Sequence, residues 1–152
     1  MSRLSYRDAT PDDLGFIVRL IVDDSVVPTD DRPDEPQHPR YLAAFEAIAA
    51  DPNQRLVIAE LDDRPIGTQQ LSFIPGINRL GEWRCLIEAV HIAPERRSKG
   101  YGGEMIGWAI DEARARGCGL VQLTSNKQRL DAHRFYERLG FKKSHEGFKL
   151  AL

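Results

Sequence analysis

The chain has 152 residues, the size of one compact domain with a single sizeable core. Hydrophobic residues at 41% and charged residues at 29% are ordinary globular proportions, so the composition excludes a disordered or fibrous protein. The formal net charge of -2 does not favour a nucleic-acid-binding surface, and no apolar run approaches the roughly 20 residues of a membrane span. We therefore expect one globular domain over residues 1–152, with neither nucleic acid nor membrane as partner.

The front of the chain predicts a strand and two helices. A short strand at residues 4–7 precedes a helix whose start is marked by Thr10 as N-cap and Pro11 in the first turn. Four prolines then interrupt residues 23–39, which we interpret as an acidic loop. A second helix follows and ends before Pro52.

The remaining elements follow from β-branched runs, turn residues and helical periodicity. We predict strands at residues 55–61, 66–74, 82–92 and 120–124, helices at 100–116 and 131–139, and one or two final strands in 141–150. Gly117 and Gly140 end the two helices. This order predicts an α/β fold of the mixed type, with a mostly antiparallel six- to seven-stranded sheet flanked by about four helices.

The segment that carries most chemical information runs from Val90 to Met105, where a strand ends and a basic turn opens a glycine-rich helix start. Glycines let the backbone approach a ligand, and the first helix amides have no intrahelical partners. The positive helix end completes a site for an anion such as a pyrophosphate. The turn is not a dinucleotide fingerprint, because that pattern would require glycine at Met105. The alternative is a tight turn with solvated basic residues.

Two motifs resemble the GNAT superfamily of N-acetyltransferases. Arg97-Ser98-Lys99-Gly100-Tyr101-Gly102 matches the superfamily signature Arg/Gln-x-x-Gly-x-Gly/Ala. Residues 131–141 look like its Ala-x-x-Phe-Tyr-x-x-x-Gly-Phe element, and a predicted strand lies between the two motifs. The resemblance covers residues 82–152 and implies a GNAT-like acyl-CoA N-acyltransferase fold.

The resemblance implies acetyl-CoA as the donor. Its pyrophosphate would lie on the amides of residues 98–103, and its pantetheine arm would pair with the backbone of residues 90–92. A backbone amide near the thioester carbonyl would then serve as oxyanion donor. The cofactor-binding residues implied in this way are Val90, His91, Ile92, Arg97, Ser98, Lys99, Gly100, Tyr101, Gly102, Gly103 and Asn126.

The same resemblance implies two catalytic residues. Members often use a glutamate at the position of Glu88 as base, directly or through water, to neutralise the attacking amine. Tyr136 corresponds to the family's tyrosine near the CoA sulfur, where a phenol can protonate the departing thiolate. The alternative for Glu88 is a solvated carboxylate or an ion pair with Arg84. The alternative for Tyr136 is a core aromatic residue beside Phe135.

One position departs from the family pattern. Members often carry asparagine seven residues before the tyrosine, and this chain has Arg129 there. Asn126 lies just upstream, where it would either contact the pantetheine from a longer loop or cap a turn. The sequence leaves open which of the two residues takes the cofactor-contacting role.

Cysteine and metal chemistry are not favoured. Cys85 and His91 are six residues apart on one strand, roughly 20 Å if extended, so a cysteine nucleophile activated by this histidine is not expected. The two cysteines of the chain are too few for a disulfide framework and are typical of reduced thiols in a cytoplasmic protein, and the first eight residues lack a signal peptide's apolar stretch. No metal-ligand spacing is present among the four histidines, His38, His91, His133 and His145.

Three functional hypotheses follow. The first is a cytoplasmic acetyltransferase that moves an acetyl group to a primary amine by direct attack in a ternary complex. The second is a module that senses acyl-CoA without turnover, and the third is a DNA-binding regulator that uses the basic stretch at residues 127–143. A homodimer is compatible with the resemblance, although no residue defines an interface. The acceptor amine is not readable, but six carboxylates in residues 23–35 suggest either a lid for cationic acceptors or an ordinary solvated loop.

Overall fold

The computed structural model describes residues 3–152, in two compact units that divide after Gln122. Each unit is described by itself. The first eight residues were expected not to form a signal peptide, and two of them, Met1 and Ser2, lie outside the described residues.

Strands and helices follow one another much as the sequence predicts. The elements are β1 (Ser5–Asp8), α1 (Leu14–Asp23), α2 (Pro39–Ala50), β2 (Gln54–Leu61), β3 (Arg64–Pro75), α3 (Asn78–Gly81), β4 (Trp83–Ile92), α4 (Tyr101–Ala115), β5 (Leu120–Leu123) and α5 (Leu130–Arg138). The sheet has the order β1-β2-β3-β4-β5, and its first four strands pair antiparallel. α4 crosses between β4 and β5, so the sheet is mixed as predicted.

The strand count is the one error in the predicted fold. Six to seven strands were expected, and the sheet of the described residues has five, while α3 adds one short turn to the four expected helices. Residues 141–152 contain no strand, and their apolar side chains Phe148, Leu150 and Leu152 are exposed. A strand requires a neighbouring strand for its hydrogen bonds, and an alternating pattern in the sequence cannot supply that neighbour.

A 3-10 turn over Pro11–Asp13 begins where Thr10 and Pro11 predict a helix start, and α1 continues from it at Leu14. The Asp13 carboxylate accepts a hydrogen bond of 2.7 Å from the Thr10 amide, which is one half of a capping box. The Arg7 guanidinium binds the same carboxylate through two hydrogen bonds of 2.7 and 2.9 Å. This bidentate hydrogen bond from Arg7 lowers the pKa of Asp13 against the opposing effect of burial, with further help from the Thr10 amide.

The core extends over both faces of the sheet, and α4 covers one of them. Met105, Ile106 and Ala109 on α4 are fully buried, as are Val57, Ile58 and Leu71 on the central strands β2 and β3. At the start of α4, Tyr101 and Met105 share a cluster with Leu4, Ala59 and Ile66, against which Val90 and Ile92 of β4 also pack. The helix is thereby fixed across the sheet with its N-terminus beside the end of β4.

Helix ends match the glycines that the sequence marks. Gly117 has a φ of 80° after α4, and Gly140 has a φ of 97° after α5. At the second end the Phe141 amide donates to the Tyr136 carbonyl and the Gly140 amide to the Glu137 carbonyl. This is the Schellman arrangement, in which glycine takes the left-handed position that a side chain would strain. No helix among residues 3–152 has the length and apolar character needed to cross a bilayer.

Candidate active site

β4 carries a β-bulge at the middle of the predicted cofactor strand. Gln70 pairs with Glu88, and Thr68 pairs with His91. Two residues of β4, Ala89 and Val90, therefore lie opposite the single residue between Thr68 and Gln70 on β3. Ala89 takes a φ of 49°, a conformation that residues other than glycine rarely adopt. Bulges bend a strand and redirect its side chains, and they are frequent beside active sites.

The bulge places Glu88 and His91 on the same face of the sheet. Residues three apart on a regular strand point to opposite faces. Their partners Gln70 and Thr68 are two residues apart on β3 and therefore share a face, and paired residues of an antiparallel ladder lie on the same side. Val90 and Ile92 instead pack on the α4 side, so Glu88 and His91 point away from α4. Two proton-accepting groups thus share a face that the spacing in the sequence would have separated.

Glu88 is exposed and has no hydrogen bond or ion pair with any residue from 3 to 152, so the alternative of an ion pair with Arg84 is not seen in that range. Cys85, three residues before it, is fully buried, and burial raises the pKa of its thiol to about 12. A thiol in that state is not a nucleophile near neutral pH.

The second half of β4 extends beyond its short neighbour. β5 has four residues, and the Gly119 amide just before it donates to the Trp83 carbonyl at the start of β4. In the described part of the chain β5 can therefore pair with little more than the first half of β4. The backbone from Val90 to Ile92, where the pantetheine was predicted, follows the bulge beyond this region.

The predicted pyrophosphate turn connects β4 to α4. Ser98 has a φ of 60° and Gly100 a φ of 85°, so the chain turns sharply immediately before Tyr101 starts the helix. The amides of the first helical turn, including those of Gly102 and Gly103, are the ones that lack intrahelical partners. Among residues 3–152 the Lys99 ammonium forms no ion pair. The turn thus combines helix amides, two left-handed residues and an uncompensated cation.

Arg3, near the beginning of the chain, contacts this turn. Its guanidinium donates to the Lys99 carbonyl at 3.0 Å and lies 4.6 Å over the Tyr101 ring. The backbone amides of Arg3 and Leu4 both donate to the Glu104 carboxylate, at 2.6 and 2.8 Å. Nothing in the local sequence indicates this contact, because about a hundred residues separate the partners.

A second cluster joins the end of α1 to the same region. The His91 Nδ1 atom lies 2.8 Å from an Asp24 carboxylate oxygen, and the other Asp24 oxygen is 3.8 Å from the Arg97 guanidinium. The Arg97 Nε atom donates to the Ile92 carbonyl at 3.1 Å. The sequence placed Asp24 in an acidic loop, and only the tertiary structure identifies it as a partner of two predicted cofactor residues.

Asn126 and Tyr136 belong to the C-terminal unit, Leu123–Leu152. The Asn126 side-chain oxygen accepts from the Gln128 amide at 2.9 Å, so it caps a turn, which was one of its two expected roles. Tyr136 is half-buried on α5, and its ring packs edge-on against Phe135 and Phe141. Contact of either residue with the cofactor stays a prediction.

The acidic loop between α1 and α2 contains local polar contacts. Asp31 accepts from the Tyr41 hydroxyl at 3.0 Å, and the same hydroxyl accepts from the Arg32 amide at 2.8 Å. Arg32 also pairs with Glu35 at 3.4 Å. Asp30 and Asp34 are exposed and are the carboxylates of this loop that remain for solvent or a ligand among the described residues.

No metal centre is formed by the described residues. Three or more His, Cys, Asp or Glu side chains do not converge anywhere in residues 3–152 in an arrangement that could hold a metal ion. His38 instead accepts from the Arg40 amide at the start of α2, and His133 lies 2.9 Å from the Asn126 carbonyl.

The five-stranded mixed sheet and the glycine turn before α4 agree with the fold that the two motifs implied. Comparison with known proteins agrees, since the model of the Acetyltransferase (GNAT) family matches residues 12–141. The chain belongs to this family. The resemblance seen in its two motifs is therefore confirmed.

Individual relatives extend the comparison. The chain is 33% identical over 112 residues to the aminoalkylphosphonate N-acetyltransferase of Salmonella typhimurium, a match covering 74% of this chain and 72% of the relative. A solved structure named as a transcriptional regulator from Bacillus halodurans is 40% identical, with a TM-score of 0.92 over 98% of this chain and 99% of the other. Glucosamine-6-phosphate N-acetyltransferase from Arabidopsis thaliana shares the fold alone, at 19% identity and a TM-score of 0.72 over 99% and 98% of the two chains.

Proposed function

We propose that the protein transfers an acetyl group from acetyl-CoA to a primary amine by direct attack within a ternary complex. The observation that carries the proposal is the bulged β4 strand leading into the glycine turn of α4, in a chain of the acetyltransferase family. The turn offers amides and a cation to a pyrophosphate. The strand beyond the bulge offers backbone groups to the amide-bearing pantetheine arm.

The proposed chemistry uses one group for each requirement of acyl transfer. Glu88, exposed beside the bulge, receives a proton from the substrate ammonium so that the neutral amine can attack the thioester. A backbone amide near the bulge stabilises the oxyanion, and Tyr136 protonates the leaving thiolate. The buried Cys85 thiol supports direct attack over a route through an acetylated cysteine.

The cofactor assignment is tested with two glycines of the same helix. Gly102→Val places a branched side chain in the first turn, so we expect acetyl-CoA affinity measured by calorimetry to fall at least about tenfold. Gly107→Val is the matched control, because it makes the same exchange in the same helix at a position where a side chain meets nothing within 4 Å. Equal affinity in the two folded variants would contradict the assigned site.

The base assignment is tested by the pH dependence of turnover. Glu88→Gln should lower the rate most at low pH, where the amine most needs a proton acceptor, with little change in acetyl-CoA affinity. Glu46→Gln removes another exposed glutamate, on α2, and should leave the profile unchanged. A wild-type profile in Glu88→Gln would remove Glu88 from the mechanism.

Two classes of acceptor amine should be assayed first. The acidic loop favours a small polycation or a basic residue, whereas the Salmonella relative is named for aminoalkylphosphonates, which carry an anionic group beside the amine. An amine panel with thiol detection should include polyamines and aminoalkylphosphonates at equal concentration. The ratio of kcat/KM between the two classes decides between them, and an anionic acceptor would exclude the cationic-lid hypothesis.

A regulatory function is the second candidate, because the similar Bacillus halodurans structure is named as a transcriptional regulator. The basic residues at 127–143 would supply the DNA contacts, although the chain as a whole carries a net charge of -2. A shift assay with unrelated and random-sequence DNA, read together with thiol release, separates the candidates. DNA binding without thiol release would favour the regulator, and acetyl-CoA binding with neither would favour a sensing module.

A further inference from the structure

The two ring nitrogens of His91 differ in their hydrogen bonding. Its Nδ1 atom is 2.8 Å from the Asp24 carboxylate, whereas Nε2 has no hydrogen-bond partner within the described range 3–152. The His91 side chain keeps 15% of its surface exposed, enough for a small group to reach the ring. A carboxylate on Nδ1 favours the tautomer with the proton on Nδ1, which leaves a lone pair on Nε2.

The surroundings of His91 contain few charges. Asp24 reaches it from α1, Arg97 from the turn before α4 through that same carboxylate, and Glu88 shares its face of β4. Its partner on β3 is the neutral Thr68, β5 has no ionisable side chain, and α4 packs on the opposite face. The bulge places Glu88 and His91 opposite residues two apart on β3, hence roughly 7 Å apart along the strand.

We propose that His91 is a second catalytic proton acceptor of this site and that Asp24 is the residue that positions it. The inference rests on the proposed acetyl transfer. The substrate ammonium loses one proton, which Nε2 takes directly or by way of Glu88 and releases to solvent. The neutral amine then forms the C–N bond to the thioester carbonyl. When the C–S bond breaks, the sulfur takes a proton from Tyr136, which recovers one from the nitrogen, and the products are the amide and the free thiol.

Imidazole suits this step better than a carboxylate alone, because its ordinary pKa lies closest to neutral pH and proton transfer is most effective there. A carboxylate that orients the ring and stabilises its protonated form is a recurring second member of such pairs. Asp24 lies at the end of α1, where the acidic loop begins. The pair therefore connects the proposed acceptor side to the strand that carries Glu88.

The test compares His91→Gln, Asp24→Asn and Asp24→Glu with the control His145→Gln. His145 is exposed, and its one hydrogen bond among residues 3–152 is to its neighbour Ser144. We expect His91→Gln to lower the acceptor kcat/KM by about 10²-fold, mostly below neutral pH, with acetyl-CoA affinity nearly unchanged. Asp24→Asn should show a smaller loss with the same pH dependence, and Asp24→Glu should recover part of it. A rise in both KM values with an unchanged pH profile would indicate a structural role and overturn the proposal.

Nitrogen NMR of the His91 ring gives a readout that does not depend on activity. The wild-type ring should carry its proton on Nδ1, and Asp24→Asn should weaken this preference. A proton on Nε2 in the neutral wild-type ring would overturn the proposal even if turnover is normal. Should His91→Gln fail to fold, the Asp24 variants and the NMR result still decide. If the wild-type protein releases no thiol with any amine, the proposed function itself is overturned. If the wild-type protein turns over and His91→Gln turns over equally well, only the role of His91 is overturned.

Discussion

The two thiols of the chain differ in environment. Cys85 is fully buried and burial raises the pKa of its thiol to about 12, so at pH 8 only about one molecule in ten thousand carries the thiolate. Cys118 is half-buried with a smaller rise. We expect a disulfide reagent at pH 8 to modify Cys118 slowly and Cys85 not at all, and to modify both in guanidinium. Rapid reaction of both thiols in the native protein would contradict the buried position of Cys85.

Tyr136 permits a conservative test of its proposed role. Its ring packs against Phe135 and Phe141, so Tyr136→Phe keeps that packing and removes only the hydroxyl. We expect thiol release to slow by about 10–10³-fold without loss of acetyl-CoA affinity. Tyr6→Phe is the matched control, because the Tyr6 hydroxyl is buried without a hydrogen-bond partner in the described range. Equal rates in both variants would exclude Tyr136 as the acid.

The start of α1 predicts a pH-dependent contribution to stability. Because the folded-state pKa of Asp13 is lowered, its contribution is present above the unfolded pKa of about 3.9 and is lost as the pH falls through the folded value. We expect Asp13→Asn to reduce the free energy of unfolding by about 1–3 kcal/mol at neutral pH, discounted because the Arg7 side chain is 37% exposed. Denaturant titrations at several pH values should show the difference shrinking in acid. The neighbouring exposed Asp12→Asn should show little of this effect.

The contact between β3, β4 and α4 is tightest at Gly67. A Cβ atom there would lie 2.9 Å from both the His91 carbonyl oxygen and the Met105 sulfur. We expect Gly67→Ala to destabilise the fold by about 1–3 kcal/mol and to weaken acetyl-CoA binding, because β4 must shift beside the bulge. Gly107→Ala on α4 has open space and should instead stabilise by about 0.5–1 kcal/mol. Thermal melts of both variants check the opposite signs.

At the scale of the whole molecule, the distribution of charge predicts how salt affects the acceptor. If the exposed Asp30 and Asp34 attract a cationic amine, raising the salt from about 0.02 to 0.5 M should raise the acceptor KM severalfold. The response should be much smaller in Asp30→Asn/Asp34→Asn. Asp31 is left intact because its carboxylate bonds Tyr41.

The control removes two exposed acids elsewhere, in Glu46→Gln/Asp111→Asn, and should keep the wild-type salt response. Identical salt responses in all three proteins would exclude steering by this loop.

Signals between near neighbours allowed most of the fold to be predicted. Proline and capping residues mark the helical turn before α1, glycines mark the ends of α4 and α5, and β-branched runs separated by turn residues mark β2 and β3. Each depends on contacts within a few residues, so the local sequence suffices. The two motifs likewise identified the family, because the glycine turn and the helix that bears Tyr136 are continuous segments.

Only the tertiary structure decided which groups meet across long separations. The bulge at Ala89 arises from the register between two strands, and it reverses the face on which His91 lies. His91 and the glycine turn before α4 find their partners, Asp24 and Arg3, near the opposite end of the sequence. The sequence by itself determined the helix ends, the strands β2 and β3 and the two family motifs, because short-range hydrogen bonds and backbone preferences specify them. Pairing register and distant side-chain contacts depend on how the whole chain packs, which no local pattern encodes.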